Sequence, residues 1–173
     1  MGLFHRARPP AQVTARFEAD ERTLSFAEDE RGTPLLASTV GLWLPAGDGP
    51  RRIGWADVVR AGWRDRVLTV IEGVEAEPGY VDSLPPVTFA LPAPDGLPAA
   101  IRERVTRSVV VSQRHPLSGT AGVRIVGRKV PGHDGLLWRA HLDPGAHRGD
   151  PVVRSQVAEL IARAAAEKSA RPG

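Results

Sequence analysis

The sequence predicts an α+β fold in which a β-rich first part, residues 13–96, precedes a helix–hairpin–helix part, residues 97–170. Three observations support this prediction. Six or seven short strand-like runs follow one another at roughly ten-residue spacing, which is typical of an antiparallel barrel or sandwich. A stretch rich in Pro and Gly, residues 91–98, separates the two parts. After it, apolar residues recur every four positions, as on a helix that faces a core.

The first part consists of short runs joined by turns. Residues 13–17 alternate apolar and polar side chains, and the run 35–44 is the most strongly apolar. Pro45 and the loop 47–50 end that run. Further strands are expected at residues 24–26, 52–55, 59–63, 67–72 and 87–91, with a loop before the last of them. Consecutive strands of this kind are expected to pair antiparallel.

The second part begins with a helix and continues with a hairpin. The helix has an apolar stripe made of Leu97, Ile101, Val105 and Val109. It should end by His115, because Pro116 disfavours helical geometry at the residue before it. The hairpin strands are expected at residues 123–130 and 136–142. The second part is therefore expected to be an α-β-β-α extension, which a C-terminal helix completes.

The C-terminal helix has clear start signals. Asp150 is suited to the N-cap and Pro151 to the first helical position, where a missing N–H costs nothing. Its apolar face is formed by Val153, Val157, Leu160, Ile161 and Ala164. This amphipathic pattern predicts a helix that packs on the hairpin, and the two parts are expected to form one compact unit.

Two segments resemble a known group of proteins. The run 53–58, with Trp55 and Asp57 before Val58, is followed by Trp63 and the strand 67–70. This pattern resembles the middle strands of an uncharacterised family of short actinobacterial-type proteins with a pleckstrin-homology-like (PH-like) half. Residues 97–105 are similar to the helix opening of the same group. The resemblance implies a PH-like β-barrel over the first part, and it attaches no activity to that fold.

Composition excludes several classes of protein. The chain has 173 residues and no cysteine, which excludes a disulfide framework, a zinc–thiolate site, an iron–sulfur cluster and a cysteine nucleophile. No apolar run reaches 18 residues, so no transmembrane helix is expected. The first 20 residues lack the apolar core of a signal peptide, and a cytoplasmic location is the expectation. The excess of Arg, 21 against two Lys, is what GC-rich codons favour.

Motifs for nucleophilic or acid–base catalysis are missing from the sequence. There is no Gly-x-Ser-x-Gly elbow. The stretch 118–120 follows His115, but a serine near a histidine in sequence does not make a triad. The acids Glu77 and Asp82 are expected in a loop, without the desolvation that acid–base work requires. We therefore expect a non-enzymatic protein without a cofactor.

The histidines do not have metal-ligand spacing. His133, His141 and His147 form a loose set with Asp143, but no pair lies at short spacing on one helix. Their expected role is at the surface or in hydrogen bonds, and no metal is expected. Lipid headgroups are not expected as partners either. The loop 18–22, placed between the first two strands, is acidic and would repel them.

Basic residues concentrate in one segment of the second part. Between residues 101 and 139 there are eight basic side chains and two acids, a net charge of +6 in a chain of net +3. Strand alternation in the hairpin places Arg124, Arg128, Arg139 and His141 on one solvent-facing side. Such a face is usually only solvated, but it is the candidate surface for an anion or a partner.

Tryptophans allow two interpretations. Trp43, Trp55 and Trp63 lie in predicted strands and are expected to pack together, the alternative being an exposed aromatic patch for a partner. Trp138 is expected on the side of its strand opposite to Arg139.

The function that these observations favour is protein–protein association, with an unknown partner or a second copy of the chain, because strand edges and helix flanks are common binding surfaces. One alternative is weak, nonspecific binding of nucleic acid or another anion through residues 101–139. Another is a small-ligand binder with a cleft between the two parts. The sequence does not name a partner, because a fold does not imply a function.

Overall fold

The computed structural model of the chain describes residues 8–117 and 121–170. Within them lie eleven strands and three helices, so the fold is mixed α+β and mostly strands, as predicted. The chain divides into two compact units, one of residues 8–70 and 86–105, the other of residues 71–85, 106–117 and 121–170. The domain bounds expected from the sequence, 13–96 and 97–170, stay a prediction. The stretch 118–120, considered above for a triad, lies outside the described residues.

Along the chain, the elements are mostly short strands, with two longer helices, α2 and α3, in the second half. In chain order they are α1 (Ala11–Thr14), β1 (Thr23–Glu28), β2 (Pro34–Ser38), β3 (Gly41–Ala46), β4 (Gly49–Gly54), β5 (Val58–Arg64), β6 (Val67–Glu77), β7 (Tyr80–Ser83), β8 (Val87–Ala90), α2 (Leu97–Ser108), β9 (Val109–Pro116), β10 (Gly122–Arg128), β11 (Leu137–Leu142) and α3 (Pro151–Ala170).

In the first unit, strands β1 to β4 form an antiparallel sheet in chain order. Strand β5 and strand β8 flank the first residues of β6. Every residue of β2 is buried. Leu97 and Ile101 of α2 are fully buried in the same core, and Val105 packs against it. The predicted apolar stripe of this helix is therefore confirmed at these three positions.

Two predicted strands of the first unit are wrong. Residues 13–17 contain the end of α1 and a turn, and the α1 residue Val13 is buried. The run 35–44 is broken into β2 and β3, because the Ser38 hydroxyl accepts hydrogen bonds from the N–H groups of Val40 and Gly41 and closes a turn. A Cβ atom at Gly41 would lie 2.4 Å from the carbonyl oxygen of Ile53, so the close approach of β3 and β4 requires glycine there.

In the second unit, the strand order is β6-β7-β11-β10-β9. Strands β7 and β11 pair in parallel, and the other neighbours in this order pair antiparallel. The predicted hairpin of residues 123–130 and 136–142 is confirmed as β10 and β11. One strand of this sheet, β7, lies in what the sequence predicted to be a loop.

The first long helix is shorter than predicted, and a strand follows it. Helix α2 ends at Ser108, whereas the sequence placed its end as late as His115. The β-branched run from Val109 to Val111 begins β9, which pairs along β10. The extension is therefore α-β-β-β-α. Three β-branched side chains in succession favour a strand over a helix, and this preference prevails over the four-residue stripe that ends at Val109.

The C-terminal helix α3 is confirmed, with the predicted cap. The Asp150 carboxylate accepts a hydrogen bond of 2.8 Å from the Val152 N–H, which satisfies one of the unpaired donors of the first turn. Val153, Val157 and Ala164 are buried against β10 and β11, while Leu160 and Ile161 are half-buried at the same contact. The amphipathic face thus forms the core of the second unit.

Candidate functional site

The candidate surface lies on one face of the three strands β9, β10 and β11. The cross-strand register pairs Arg124 with His141 and Val126 with Arg139, so the four predicted residues share this face. Strand β9 adds Arg114, which is paired with Arg124. We call these five side chains, Arg114, Arg124, Arg128, Arg139 and His141, the basic face.

Exposure varies across the basic face. Arg124 is exposed, and Arg139 and His141 are half-buried. Arg128 is only 4% exposed, so the prediction that this whole face is solvated is wrong there. Its guanidinium donates a 2.7 Å hydrogen bond to the Ser108 hydroxyl at the end of α2. The sequence analysis missed this cover because it extended α2 past the point where the chain turns into β9.

Three of these basic side chains form a row across the strands. Arg114, Arg124 and His141 are directly opposite one another on β9, β10 and β11. Neighbouring strands are about 4.8 Å apart, so this basic row spans about 10 Å. Like charges directly opposite each other destabilise a sheet. One end of the row is compensated, because the Arg114 guanidinium forms an ion pair with Asp143.

His141 lies at the other end of the row. Its Nδ1 atom is buried and has no hydrogen-bond partner among the described residues. Burial, and after it the charges of Arg128, Arg139 and Arg124, lower the pKa of the His141 imidazole to about 4. The ring is therefore neutral at pH 7 and sits in a positive field. A bound anion would satisfy the buried nitrogen and offset that field.

A cleft of about 830 Å³ opens beside His141. Asp82, Asp143 and His147 are among its lining residues. Arg148 also lines it, and its guanidinium bonds both oxygens of Asp82 at 2.7 and 2.9 Å. The two carboxylates of this cleft already have cationic partners, Arg148 for Asp82 and Arg114 for Asp143.

The two acids considered for acid–base chemistry lie at strand ends and not in a loop. Glu77 ends β6 and Asp82 is in β7. Arg148 contacts both acids, with 3.2 Å from its Nε to Glu77, and the Arg154 guanidinium contacts Glu77 at 2.8 Å. Arg154 also lies 5.9 Å from the ring centre of Tyr80. These contacts join the β6–β7 hairpin to the start of α3.

The histidines are not assembled into a metal centre in the described part of the chain. No group of three or more His, Asp or Glu side chains among residues 8–117 and 121–170 is placed to hold a metal ion. His141 and His147 line the same cleft as Asp143, while His133 lines a different one.

A buried carboxylate in the first unit was missed by the sequence analysis. Glu21 accepts hydrogen bonds from the Ser38 hydroxyl at 2.5 Å, the Trp43 indole at 2.8 Å and the Arg52 guanidinium at 3.0 Å. Burial raises the pKa of the Glu21 carboxyl, but these partners outweigh that effect, so the pKa lies below its ordinary value. We call Glu21 with Ser38, Trp43 and Arg52 the Glu21 centre.

The segment that holds Glu21 was also assigned to the wrong place. Residues 18–22 join α1 to β1, whereas the sequence analysis placed them between two strands. Their acidic character predicted repulsion of lipid headgroups, but one of the carboxylates is turned inward. The signal available in the sequence was Trp43, because a buried indole usually needs a hydrogen-bond acceptor.

Tryptophans do not form one cluster. Trp55 is buried in the main core of the first unit, and Trp43 is buried in a smaller cluster with Val13 and Leu36. Trp63 is 40% exposed on β5, so the prediction that all three pack together is wrong.

Comparisons with family models, curated proteins and solved structures find no match to this chain. No helix in the described ranges is both long and apolar enough to cross a membrane.

Proposed function

We propose that this protein is a non-enzymatic protein–protein interaction module that binds an acidic segment of its partner at the basic face. The observation that carries the proposal is the basic row, in which a buried nitrogen of His141, beside the exposed Arg124, has no partner in residues 8–117 and 121–170. An unsatisfied buried polar atom in a positive field is the arrangement that a carboxylate would complete.

The length of the basic row favours a discrete pair of carboxylates. Alternate side chains of an extended peptide lie about 6.6 Å apart on one face. Two of them fit within a row of about 10 Å, one near Arg124 and one near His141. A neutral imidazole donates one N–H, and a guanidinium presents several donors in a plane, so both groups suit carboxylate oxygens.

A nucleic acid fits this surface less well. The chain outside residues 101–139 is net acidic and would oppose wrapping. Nucleic-acid binding is therefore an outcome of the test and not the proposal.

The test measures the affinity of the protein for a labelled peptide by fluorescence anisotropy. The peptide has about ten residues, with glutamate at alternate positions. Binding should weaken with salt, and Arg124→Glu should weaken it at least about tenfold, a change of about 1.4 kcal/mol. Arg163→Glu is the matched control, since Arg163 is exposed on α3. It should change the affinity by no more than about twofold.

Three results would contradict the proposal. The first is equal binding of a peptide with glutamine at the same positions. The second is equal affinity of the Arg124→Glu and Arg163→Glu variants for the glutamate peptide. The third is that neither peptide binds at low salt. Tighter binding of single-stranded or duplex DNA than of the peptide, lost in Arg124→Glu, would replace it with the nucleic-acid alternative.

We also propose that the first unit is PH-like and related to the family that the sequence resembles. The order of the elements supports this proposal. The four-stranded sheet is followed by β5, β6 and β8 and then by helix α2, and seven strand segments before a helix are the order of elements in PH-like domains. Strand β7 departs from that order. An experimental structure in which β8 does not pair with β6 would contradict this assignment.

A further inference from the structure

A second cleft, of about 650 Å³, lies in the second unit away from the basic face. It is bounded by the β10–β11 turn, the end of α3 and the start of β9. Lys129, His133, Trp138 and Lys168 are among its lining residues. Its volume is within the range of small-molecule sites. We call it the lysine cleft.

One wall of the lysine cleft is the Trp138 indole, which lies against Gly127 of the neighbouring strand. Trp138 is directly opposite Gly127 in the β10–β11 register. A Cβ atom at Gly127 would lie 2.9 Å from the Trp138 ring, so only glycine lets the indole lie across β10. Trp138 packs against the core that α3 covers, which fixes the position of the ring. The side chain of Trp138 is half-buried.

The charges around the cleft are unusual for this chain. It has 21 arginines and only two lysines, and both lysines line this one cleft. Lys129 is exposed and Lys168 is half-buried. Asp134 is the acid that lines the cleft with them, so the cleft has two ammonium groups and one carboxylate.

We propose that the lysine cleft binds a small organic monoanion with a flat apolar body and one carboxylate. The flat body would stack on the Trp138 indole, with Leu136 and Val110 as further apolar walls. The carboxylate would lie between the two ammonium groups, which are compact point charges on flexible stems. Two ammonium groups with one carboxylate suit a monoanion better than a doubly charged phosphate. This proposal does not depend on the function proposed for the basic face.

The test uses the full chain with naphthalene-2-carboxylate as the probe, naphthalene-2-carboxamide as its neutral counterpart and inorganic phosphate as a third ligand. The readout is the indole N–H resonance of Trp138, assigned with Trp138→Phe. The carboxylate should shift this resonance with saturation at up to millimolar concentration. The carboxamide should bind at least about tenfold more weakly, and phosphate should not compete.

The lysines are tested with the double variant Lys129→Met, Lys168→Met, which removes both charges and keeps the apolar stems. It should lose at least about tenfold in affinity for the carboxylate, because the anion then faces Asp134 alone. Arg163→Met on the same helix is the matched control and should bind like the natural chain. Equal binding of carboxylate and carboxamide, unchanged affinity in the double variant, or no shift of the Trp138 resonance would each overturn the proposal.

Discussion

The Glu21 centre and the basic face each hold a buried ionisable group, and their surroundings are opposite. Glu21 in the first unit accepts hydrogen bonds from Ser38, Trp43 and Arg52. His141 in the second unit has a buried Nδ1 without a partner among the residues that the structure describes, and it faces arginine charges. A buried charge with all its partners in place fixes local structure. A buried imidazole nitrogen without a partner, next to cations that oppose its protonation, is costly unless a ligand completes it.

The comparison predicts its largest effect at the Glu21 centre. Glu21→Ala removes the acceptor of the buried Trp43 indole and the inner partner of Arg52, so unfolding should become easier by about 3 kcal/mol. Glu18→Ala is the matched control, because Glu18 also pairs with Arg52 but its side chain is 61% exposed, against 0% for Glu21. It should cost less than about 1 kcal/mol. Urea unfolding measures both, and equal losses would show that the Glu21 centre is not a buried unit.

The second prediction concerns how stability depends on pH. The pKa of His141 is about 4 in the folded chain and about 6.5 in an unfolded one. Between these values the unfolded chain takes up a proton that the folded chain does not, so this histidine makes stability rise with pH from about 4 to 6.5. Above that window it has no effect on the slope, because both states are neutral there.

His141→Phe should remove this slope, since phenylalanine fills a similar volume without a titrating nitrogen. Relative to the natural chain, the variant should gain about 2 kcal/mol at pH 5 and little at pH 7, from urea midpoints at both values. His147→Gln, a change at an exposed histidine, is the control and should leave the slope unchanged. A slope that survives in His141→Phe would mean that His141 is not the titrating group.

Sequence patterns predicted the structure correctly where one local pattern decides it. Alternation alone placed Arg124 and His141 on one face of the hairpin, and the Asp150–Pro151 start of α3 was correct. The helix stripe of Leu97 and Ile101 was also correct. In each case the pattern depends on neighbours within a few residues, so no distant contact was needed to interpret it.

Sequence patterns failed where distant contacts decide. The burial of Arg128 depends on Ser108, 20 residues away, and on the early end of α2. The role of Glu21 depends on Arg52, 31 residues away. Arg114 was left out of the candidate surface because β9 was taken as helix. The composition of the Glu21 segment predicted a solvated acidic loop, and only the register of β3 and β4 shows that its partners converge.

The measurement that tests the central claim most directly is the titration of the His141 ring by NMR, in the protein alone and with the glutamate-containing peptide. The account predicts a pKa of about 4 in the protein alone. The pKa should rise by at least about one unit when the peptide binds, because a carboxylate beside the ring favours its charged form. A pKa near 6.5 in the protein alone, or one that the bound peptide leaves unchanged, would contradict the claim that His141 is an incomplete binding group.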